Sequence, residues 1–467
     1  MLNAHQTRRS FLQNLASAAG VALAPGSAWG SSSGEDPVDV MLRITPVNAE
    51  IAKNCTIHTI GYNGSVPGPL IRLHEGSPVT VELINETDTP EFVHWHGMTL
   101  PPALDGTPEE NSLAVPAHGH LRYRMIPRPS GARFVHTHAM AMDDLRRSTF
   151  TGQYAFVYVE PKTHPGMYDQ EIFLATHEWD PYLVKEEEPG KDHKRRPHDE
   201  GHGWEVAYRR RTINGKCLGN GEPVRVKEGQ RVLFHFLNAS ATENVELALP
   251  RHRFQVVALD GNPVPNPAPV DVLKLGTAER IDAVVTMNAP GVWVLGTPDD
   301  SSRKNGMGIV VEYANRSGKA RWIPPGRCDW DYMRFGDKGP APRADEVIPL
   351  VFGQLKESVS GFEEWTINGE QYDERKPPRT LLPGARYRLV FDNRTEDEHP
   401  VHLHRDSFEL TNIHGQPTRG LFKDVVLIDP HKTVEADFVP AVSGLMLFHC
   451  HQQLHMDHGF KLLFDVK

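Results

Sequence analysis

Three segments of the chain open in the same way, and this repeat constrains the fold more than any other feature of the sequence. The segments are TIGYNGSVPGPLIRLHEGSPVTVELIN (59–85), TINGKCLGNGEPVRVKEGQRVLFHFLN (212–238) and TINGEQYDERKPPRTLLPGARYRLVFDN (366–393). Each reads as a strand, a Gly/Pro turn and a second strand with alternating apolar residues, and each closes on Asn. The repeat predicts an all-β protein built from three copies of one unit.

Pairs of histidines separated by one residue recur at fixed places in the first and third units. The four pairs are His94 with His96, His136 with His138, His402 with His404, and His449 with His451. Each pair begins nine residues after a closing Asn or five residues after a Gly, namely Gly131 or Gly444. The corresponding residues of the middle unit are Leu247 and Gly296, so that unit has lost both pairs.

The number of these pairs exceeds what chance would produce. With 25 His in 467 residues, random placement gives about 1.3 such pairs, whereas five occur. The fifth, His118 with His120, lies in a Pro/Gly turn without a counterpart in the other units, and we interpret it as solvated turn residues. Eight imidazoles in matched pairs exceed the needs of one mononuclear site, and they predict a metal cluster between the first and third units.

Cys450 lies between two of these histidines but belongs to a different site. Successive side chains of a strand point to opposite faces, so Cys450 faces away from His449 and His451. One thiolate and two imidazoles in a trigonal array form a blue-copper electron-transfer site, and His399 and His455 complete that set. The other units carry other residues at the places of His399 and Cys450, namely Glu91 and Thr137 in the first and Asn244 and Thr297 in the middle one.

From about residue 37 to its end, the chain resembles a three-domain multicopper oxidase of the laccase type. The motifs that carry the resemblance are HWHG (94–97), HTH (136–138), HPVHLH (399–404) and HCHQQLH (449–455). The resemblance implies cupredoxin-like Greek-key β-barrel domains, which we place at 37–162, 163–320 and 321–467 after a leader at 1–36. It also implies four coppers per chain, one type 1, one type 2 and two type 3. Such enzymes oxidise a small reducing substrate and reduce O₂ to water.

Matched to the family's motifs, the ligands fall into three groups. They are His399, Cys450 and His455 for type 1 copper, His94 and His402 for type 2, and His96, His136, His138, His404, His449 and His451 for the type 3 pair. One position departs from the family, which often has Met five residues beyond the last type 1 histidine, where this chain has Phe460. Phenylalanine cannot ligate, so we expect a three-coordinate site with a raised potential. Met456 is a poor axial candidate and is expected to pack against the site.

Two acids are candidates for proton delivery, because O₂ reduction consumes protons. Asp105, in LDGTP, matches the family's acid downstream of the first motif, and the alternative is an Asx-turn residue before Gly106. Asp457 is the second candidate, with a structural role as the alternative. Met140 and Met142 could contact Cu(I) as soft ligands, but we interpret them as core residues.

The first residues predict export. Arg8 and Arg9 precede an Ala-rich stretch and the small residues around Ala28, which resembles a twin-arginine signal. We therefore expect a periplasmic or secreted protein. No other run reaches the ~18 apolar residues of a membrane span, and the formal net charge of −10 argues against a nucleic-acid partner. We expect a monomer, and we interpret the mixed-charge run at 184–203 as a solvated loop.

The leading hypothesis for function is oxidation of phenolic or other aromatic donors with O₂ as acceptor. The alternative is a metallo-oxidase for Cu(I) or Fe(II) in metal tolerance. A copper-free interaction scaffold is disfavoured because every ligand of the family is present. Cys55, Cys217 and Cys328 allow at most one disulfide, and the sequence does not say which pair forms it.

Overall fold

The computed structural model of the chain describes residues 37–162, 168–185, 204–326, 328–355 and 361–467. The predicted export signal lies outside these residues, as does most of the mixed-charge run. Within the described ranges the chain forms six sheets, two from each repeat unit, and only short helices. The all-β prediction is confirmed. None of the helices in these ranges has the length and apolar character needed to cross a bilayer.

The described residues of the first unit form two four-stranded sheets. The strands are β1 (Val40–Ala52), β2 (Cys55–Tyr62), β3 (Ile71–His74), β4 (Val79–Asn85), β5 (Val93–His96), β6 (His120–Met125), β7 (Gly131–Thr137) and β8 (Tyr154–Glu160). Their orders are β2-β1-β4-β6 and β3-β8-β7-β5. The connections contain a one-turn helix, α1 (Pro102–Asp105), and 3-10 turns at Pro108–Glu110 and Ser148–Phe150.

The middle unit forms a six-stranded and a five-stranded sheet. The strands are β9 (Gln170–Lys185), β10 (Trp204–Ile213), β11 (Val224–Val226), β12 (Arg231–Asn238), β13 (Val245–Ala248), β14 (Phe254–Leu259), β15 (Asn262–Val270), β16 (Val272–Leu275), β17 (Arg280–Thr286), β18 (Val292–Gly296) and β19 (Gly308–Tyr313). Their orders are β10-β9-β12-β17-β14-β15 and β11-β19-β18-β13-β16. A short helix, α2 (Asp300–Lys304), precedes β19.

The third unit forms a seven-stranded and a five-stranded sheet. The strands are β20 (Asp337–Lys338), β21 (Glu346–Gln354), β22 (Trp365–Ile367), β23 (Arg379–Leu381), β24 (Tyr387–Asn393), β25 (His399–Leu403), β26 (Phe408–Ile413), β27 (Gln416–Lys423), β28 (Val425–Ile428), β29 (Thr433–Phe438), β30 (Gly444–Cys450) and β31 (Lys461–Val466). Their orders are β20-β27-β26-β29-β24-β21-β22 and β23-β31-β30-β25-β28. A 3-10 turn at Tyr332–Arg334 precedes β20, and helix α3 (Gln453–Asp457) precedes β31.

The repeat in the sequence corresponds to a repeat in strand pairing. In each unit the opening strand pairs in parallel with the strand that ends on the closing Asn: β1 with β4, β9 with β12, and β21 with β24. A second parallel pair joins β3 with β8, β11 with β19, and β23 with β31. Parallel neighbours require a crossover connection, so the shared pairs give the three units the same topology.

The closing Asn of each unit holds the loop that leads to the next strand. Asn85, Asn238 and Asn393 are buried, and their side-chain N–H groups donate to two backbone carbonyls in Asn85 and Asn238 and to three in Asn393. Each side-chain oxygen accepts the backbone N–H of the residue two positions on, as in an Asx turn. These bonds position the strand that follows the loop, which carries histidines in two of the units.

The apolar interior does not divide in the same way as the sheets. The middle and third units share one continuous cluster of buried residues, whereas the first unit has a cluster of its own. The four cysteines are free thiols. Cys55 and Cys217 lie in one apolar cluster with Ile51 and Trp179. Of the three cysteines that the sequence left as disulfide candidates, the structure therefore brings these two together.

Candidate metal centres

The four His-x-His pairs lie on two pairs of neighbouring strands. In the first unit β5 and β7 pair antiparallel and place His94 opposite His136. In the third unit β25 and β30 do the same for His402 and His449. The middle unit keeps the equivalent neighbours β13 and β18 but carries no histidine on them. The same backbone arrangement therefore presents histidines in two units only.

The first and third units bring their histidines face to face. The ring centroids of His96 and His402 are 3.8 Å apart with an interplanar angle of 14°, and those of His94 and His404 are 4.2 Å apart. The cluster is completed by the buried rings of His136, His138, His449 and His451. The structure thus gathers all eight histidines from which the sequence predicted a cluster.

In several of these rings a hydrogen bond at the outer edge leaves the inner nitrogen without a partner. The Nδ1–H of His94 donates to the Asp105 carbonyl at 2.7 Å, and that of His402 donates to the Asp424 carbonyl at 2.7 Å. Because a carbonyl can only accept, each ring carries its lone pair at Nε2. In the described chain, several inner nitrogens are buried without a hydrogen-bond partner: Nε2 of His94, His136 and His402, Nδ1 of His96, and both ring nitrogens of His138 and His451.

Burial keeps these imidazoles neutral, as metal ligands must be. Desolvation penalises the charged ring, and neighbouring imidazoles add repulsion, so the pKa lies below its ordinary value for His96, His136, His138, His402, His404, His449 and His451. For His449 the pKa falls to about 3. At neutral pH the lone pairs are therefore available to a metal.

Cys450 and two histidines converge on the other side of β30. The Cys450 Sγ lies 3.8 Å from His399 Nδ1 and 3.5 Å from His455 Nδ1, and the two nitrogens are 3.2 Å apart. The far nitrogen of His399, Nε2, is 2.7 Å from the Thr395 hydroxyl, which holds the ring with Nδ1 towards the thiol. Two imidazoles and one thiol meeting at one point form the donor set of a trigonal copper site.

The surroundings of this site are apolar. Phe460 is fully buried, with its ring centroid 4.9 Å from that of His399, and the Trp365 ring lies 4.2 Å from that of His455. Met456 is also buried. Burial raises the pKa of the Cys450 thiol, and a bound metal would displace its proton, because a coordinating thiol is deprotonated.

In the first unit a hydrogen bond takes the place of this site. The Thr137 hydroxyl, at the position of Cys450, donates to the Glu91 carboxylate at 3.1 Å, and both residues are buried. Desolvation raises the pKa of Glu91. A hydroxyl and a carboxyl satisfy each other there, so the first unit contributes to the cluster but not to a mononuclear site.

Asp105, at the end of α1, touches the histidine cluster. Its Oδ2 lies 2.8 Å from His404 Nδ1 and 3.2 Å from His94 Nδ1. Its Oδ1 is buried without a hydrogen-bond partner in the described chain. The residue also precedes the left-handed Gly106, with φ 84°, as expected for a turn. A second carboxyl, Glu110, lies 3.6 Å from His404 Nδ1, and burial together with the charge of Asp105 raises its pKa well above the usual range.

Asp457, the other predicted acid, lies on α3 and holds a loop. Its Oδ2 accepts the backbone N–H groups of Ala141 and Met142 at 2.9 and 2.8 Å. The side chain of Gln453 donates to both carboxylate oxygens at 3.1 Å. Burial raises the pKa of Asp457. The residue therefore ties the helix that carries His455 to the loop that follows β7.

The prediction that Met140 and Met142 pack in the core is wrong. Their side chains are 40% and 42% exposed. The loop turns outward after β7, and Met142 adopts a left-handed φ of 55° while its N–H is held by Asp457. Two thioethers consequently lie at the surface beside α3.

Sequence reasoning missed Asp424, a buried carboxylate that touches the cluster. Its Oδ1 lies 3.0 Å from His96 Nε2, Arg280 of the middle unit donates to its two oxygens at 2.7 and 2.5 Å, and Arg133 donates at 3.3 Å. A Cβ at Gly97, where φ is 78°, would lie 2.6 Å from Asp424 Oδ2. The glycine of HWHG therefore indicated that another group approaches the backbone closely at this position. The sequence does not identify that group as Asp424.

Asp424 is part of a buried charge network that draws on all three units. Lys423 Nζ lies 3.0 Å from both Asp260 and Glu279, and Asp260 accepts the backbone N–H of Asp424 at 3.2 Å. Three cations face three anions, namely Arg133, Arg280 and Lys423 with Asp260, Glu279 and Asp424. Because a buried charge is costly unless it is paired, a shift of one unit relative to the others would leave some of these charges unpaired.

The donor sets fit copper. The cluster offers neutral imidazoles with unpartnered lone pairs, which suit copper, and the site at Cys450 adds a thiolate. Buried polar nitrogens without partners cost free energy, and a bound metal would relieve that cost. Groups of three converging donors occur at both sites. In the cluster they include His94, His96 and His136, and also His138, His404 and His449; at the mononuclear site they are His399, Cys450 and His455.

Comparison with known proteins shows the same family along the chain. Family models described as multicopper oxidase match residues 43–164, 181–313 and 350–467. Multicopper oxidase MmcO of Mycobacterium tuberculosis is 30% identical over 450 residues, covering 91% of this chain and 87% of that protein. The crystal structure of a laccase from Botrytis aclada has a TM-score of 0.73 at 17% identity, with 92% of this chain and 88% of that chain covered. A metallo-oxidase from Campylobacter jejuni has a TM-score of 0.70 at 19% identity, with 94% and 93% covered.

Proposed function

The chain belongs to the multicopper oxidase family, and on that premise we propose that it oxidises small phenolic or other aromatic donors and reduces O₂ to water. We assign four coppers to it. The type 1 ion would be held by His399, Cys450 and His455, and the other three by the eight histidines of the cluster. Copper bound in these places supplies the one-electron chemistry that couples donor oxidation to O₂ reduction. Four donors then provide four electrons, and two waters form with four protons.

One observation carries this proposal. Cys450 faces the mononuclear site, while its chain neighbours His449 and His451 belong to the cluster. The backbone therefore joins the two sites within three consecutive residues. A protein with a mononuclear site alone has no use for such a link, whereas an enzyme that collects electrons at one site and uses them at another requires it.

The protein's own groups would then handle donor and protons. His455 is one of the residues that line a surface pocket, and its Nδ1 lies 3.5 Å from the Cys450 Sγ, so we place the donor in that pocket. Asp105 touches His404 and His94 and has one unpartnered buried oxygen. We therefore assign proton delivery to Asp105, because a general acid must lie within hydrogen-bond reach of the reacting groups.

A second candidate function is oxidation of Cu(I). The observation that favours it is the exposure of Met140 and Met142 on the loop that Asp457 ties to α3. Thioether sulfur is a preferred ligand of Cu(I), and two such side chains at the surface near His455 could bring that ion to the site.

The experiment that separates these functions is O₂ uptake by the copper-loaded protein with a methoxyphenol or with Cu(I) as donor. We expect faster uptake with the phenol, and no change when Met140 and Met142 are both replaced by Leu. Faster uptake with Cu(I), above its spontaneous oxidation and lost in the double variant, would favour the metallo-oxidase. Binding of about one copper per chain instead of about four would contradict the cluster assignment.

We also propose export by the twin-arginine route to the periplasm or the cell exterior. The support is the Arg8-Arg9 segment at the start of the chain. Replacing both arginines by Lys should retain the protein in the cytoplasm, which cell fractionation would show. The monomeric state remains a prediction, and light scattering of the copper-loaded protein tests it.

A further inference from the structure

Glu178, on β9 of the middle unit, is a buried carboxyl residue with no part in the sites described above. Its side chain belongs to a residue that is only 2% exposed, and its Oε2 has no hydrogen-bond partner among the described residues. Glu178 lines a cavity of about 240 Å³, which we call the outer cavity. The exposed Asp299 lines the same cavity. The outer cavity therefore extends from the protein surface to a buried carboxyl group.

A second and smaller cavity, which we call the inner cavity, lies against the histidine cluster. His136 and His451 line it, together with Gln153, Tyr154 and Ser240. Its volume is about 10 Å³, which is about the space that one water molecule needs. The Gln153 Oε1 and the Tyr154 hydroxyl are buried without a hydrogen-bond partner in the described chain. The inner cavity can therefore hold a single hydrogen-bonded water molecule beside two imidazoles of the cluster.

Ser240 connects the two cavities. Its Oγ accepts the backbone N–H groups of Thr242 and Glu243 at 3.3 and 2.9 Å, so the hydroxyl proton is left to donate elsewhere. This hydroxyl lies within hydrogen-bonding reach of the Glu178 carboxyl, whose pKa it lowers against the effect of burial. One hydroxyl group thus stands between the carboxyl of the outer cavity and the space of the inner cavity.

The surroundings of Glu178 keep its carboxyl protonated at neutral pH. Burial raises the pKa of Glu178 to about 8, and repulsion from Glu243 adds to this effect, while Arg211 opposes it. Arg211 also donates to Glu243 at 3.3 Å, so its charge is shared between the two acids. Tyr208 and Tyr154 also interact with Glu178, and both are neutral because burial raises the pKa of their hydroxyls. A carboxyl with a pKa of about 8 can hold and release a proton near neutral pH.

We propose that Glu178 takes up protons from the outer cavity and passes them through Ser240 to the inner cavity beside the cluster. The inference rests on the proposed function, because reduction of O₂ to water consumes one proton for each electron. In each transfer the carboxyl gives its proton to the Ser240 oxygen while the hydroxyl releases its own proton into the inner cavity. A proton from solvent in the outer cavity then restores the carboxyl. Glu178 does not touch the cluster, so it is a proton relay that acts through Ser240.

This path differs from the delivery assigned to Asp105. Asp105 touches His404 and His94, whereas the inner cavity reaches His136 and His451. Asp105 is not among the described lining residues of either cavity. The two acids therefore serve different histidines of the cluster, and loss of the relay should slow O₂ reduction without abolishing it.

Infrared spectroscopy tests the protonation of Glu178 without turnover. In the resting copper-loaded protein, the spectrum of the parent minus that of Glu178→Gln should contain the band of a protonated carboxyl. This band should disappear on raising the pH, with a midpoint of about 8. Gln is uncharged and close in shape to a protonated Glu, so the variant should keep its fold and its copper, which elemental analysis checks. Identical spectra of parent and variant across this pH range would contradict the proposal.

O₂ uptake with ferrocyanide as donor then tests the path, because oxidation of ferrocyanide releases no proton. Uptake by the parent should fall as the pH rises through about 8, where the carboxyl loses its proton. Glu178→Gln should lower uptake at neutral pH by about 10²-fold and remove this inflection from the pH profile. Anaerobic reduction of the mononuclear site by ferrocyanide should stay unchanged, since that step needs no proton. Glu178→Asp keeps a titrating carboxyl and should retain most of the uptake together with the inflection.

Two further variants locate the effect in the relay. The matched control is Glu171→Gln, on the same strand. Glu171 lies 3.1 Å from His235 and is not among the described lining residues of either cavity. Its loss should lower the urea midpoint but leave O₂ uptake and the inflection unchanged. Ser240→Ala should lower O₂ uptake and keep the infrared band of Glu178, because it interrupts the path after the carboxyl.

The outcomes separate this inference from the function on which it rests. An inflection that persists in Glu178→Gln would overturn the relay but leave the oxidase standing. A fall in copper content as large as the fall in O₂ uptake would give Glu178 a structural role and likewise overturn the relay. Absence of O₂ uptake by the parent with both ferrocyanide and a methoxyphenol would overturn the proposed function, and the relay with it.

Discussion

The buried histidines of the cluster and the buried His235 of the middle unit lie in very different settings. In the cluster between the first and third units, rings such as His94 and His402 donate one nitrogen to a backbone carbonyl and leave the other without a hydrogen-bond partner among the described residues. His235 of the middle unit is equally buried, but its Nδ1 lies 2.7 Å from Asp282 and its Nε2 lies 3.1 Å from Glu171. Burial opposes its charge, yet the two carboxylates outweigh burial and raise the pKa of His235 to about 9.

The difference shows that burial alone does not make a histidine a ligand. A ring with carboxylates on both nitrogens is an imidazolium and has no lone pair to give. A ring with one outer partner keeps a lone pair on the inner side, and that nitrogen can bind a metal. His235 of the middle unit thus neutralises the charge of two carboxylates, whereas the cluster histidines of the outer units face a shared space.

Removal of a cluster ring should have the largest effect. His402→Gln takes away an inner nitrogen that lacks a partner. We expect the copper content to fall from about four to about three per chain and O₂ uptake to fall about 10³-fold, because a bound metal contributes several kcal/mol to the transition state. Elemental analysis and an oxygen electrode measure both.

The matched control is the same substitution in the middle unit. His235→Gln should leave the copper content and O₂ uptake unchanged. A loss of copper in this control as large as in His402→Gln would mean that both substitutions act through general unfolding, and the comparison would fail.

Asp424→Asn should destabilise the fold and the cluster together. It leaves Arg280 and Arg133 with an uncompensated buried charge, at a cost of about 3–5 kcal/mol. It also weakens the outer partner of His96, which should lower copper affinity about 10–100-fold. Urea unfolding and a competitive copper chelator give the two values.

A buried, ion-paired carboxylate that lies away from the cluster separates the effect on stability from the effect on copper affinity. Asp437 is buried and paired with Arg388 at 2.7 Å. Asp437→Asn should lower the urea midpoint but leave copper affinity as it is. Equal copper affinity in the Asp424 and Asp437 variants would contradict the role of Asp424 beside His96.

His235→Gln should change stability in a pH-dependent way. The folded pKa of about 9 lies above the unfolded value of about 6.5, so His235 stabilises the fold by about 3 kcal/mol below pH ~6.5. That contribution is lost as the pH rises through about 9. Urea midpoints of the variant and the parent should therefore differ at about pH 6 and converge near pH 10. A difference in urea midpoint that stays constant with pH would contradict the assignment of a charged His235 ring.

The smallest effect is expected at the mononuclear site. Phe460→Met would place a thioether where an apolar ring now lies 4.9 Å from His399. A soft axial donor stabilises the oxidised ion, so the type 1 potential should fall, by about 60 mV for a tenfold change in a one-electron equilibrium. Phe460→Leu is the matched apolar control and should leave the potential near its original value. A redox titration that follows the blue absorption measures the potential of both variants. A higher potential in the Met variant would contradict our interpretation of Phe460 as the residue at the axial position.

Much of the fold and of the site could be predicted because the information is local. Alternation along β30 puts Cys450 and its neighbours on opposite faces, since side chains of a strand alternate whatever surrounds it. The closing Asn recurs in three units and the His pairs in two, which predicted the strands that correspond, and the strand pairs confirm it. Met140 and Met142 were predicted wrongly, because an apolar side chain in a loop has no periodicity that reveals its direction.

The sequence by itself determined the all-β class, the three units and the family, because motif spacing and strand period are properties of neighbouring residues. Only the tertiary structure decided that Asp424 stands behind His96 with Arg280 of another unit. It alone decided that Ser240 lies between Glu178 and the cavity beside His136 and His451. Both groupings join residues that are distant along the chain, and electrostatic interactions depend on distance in space, which a linear pattern does not record.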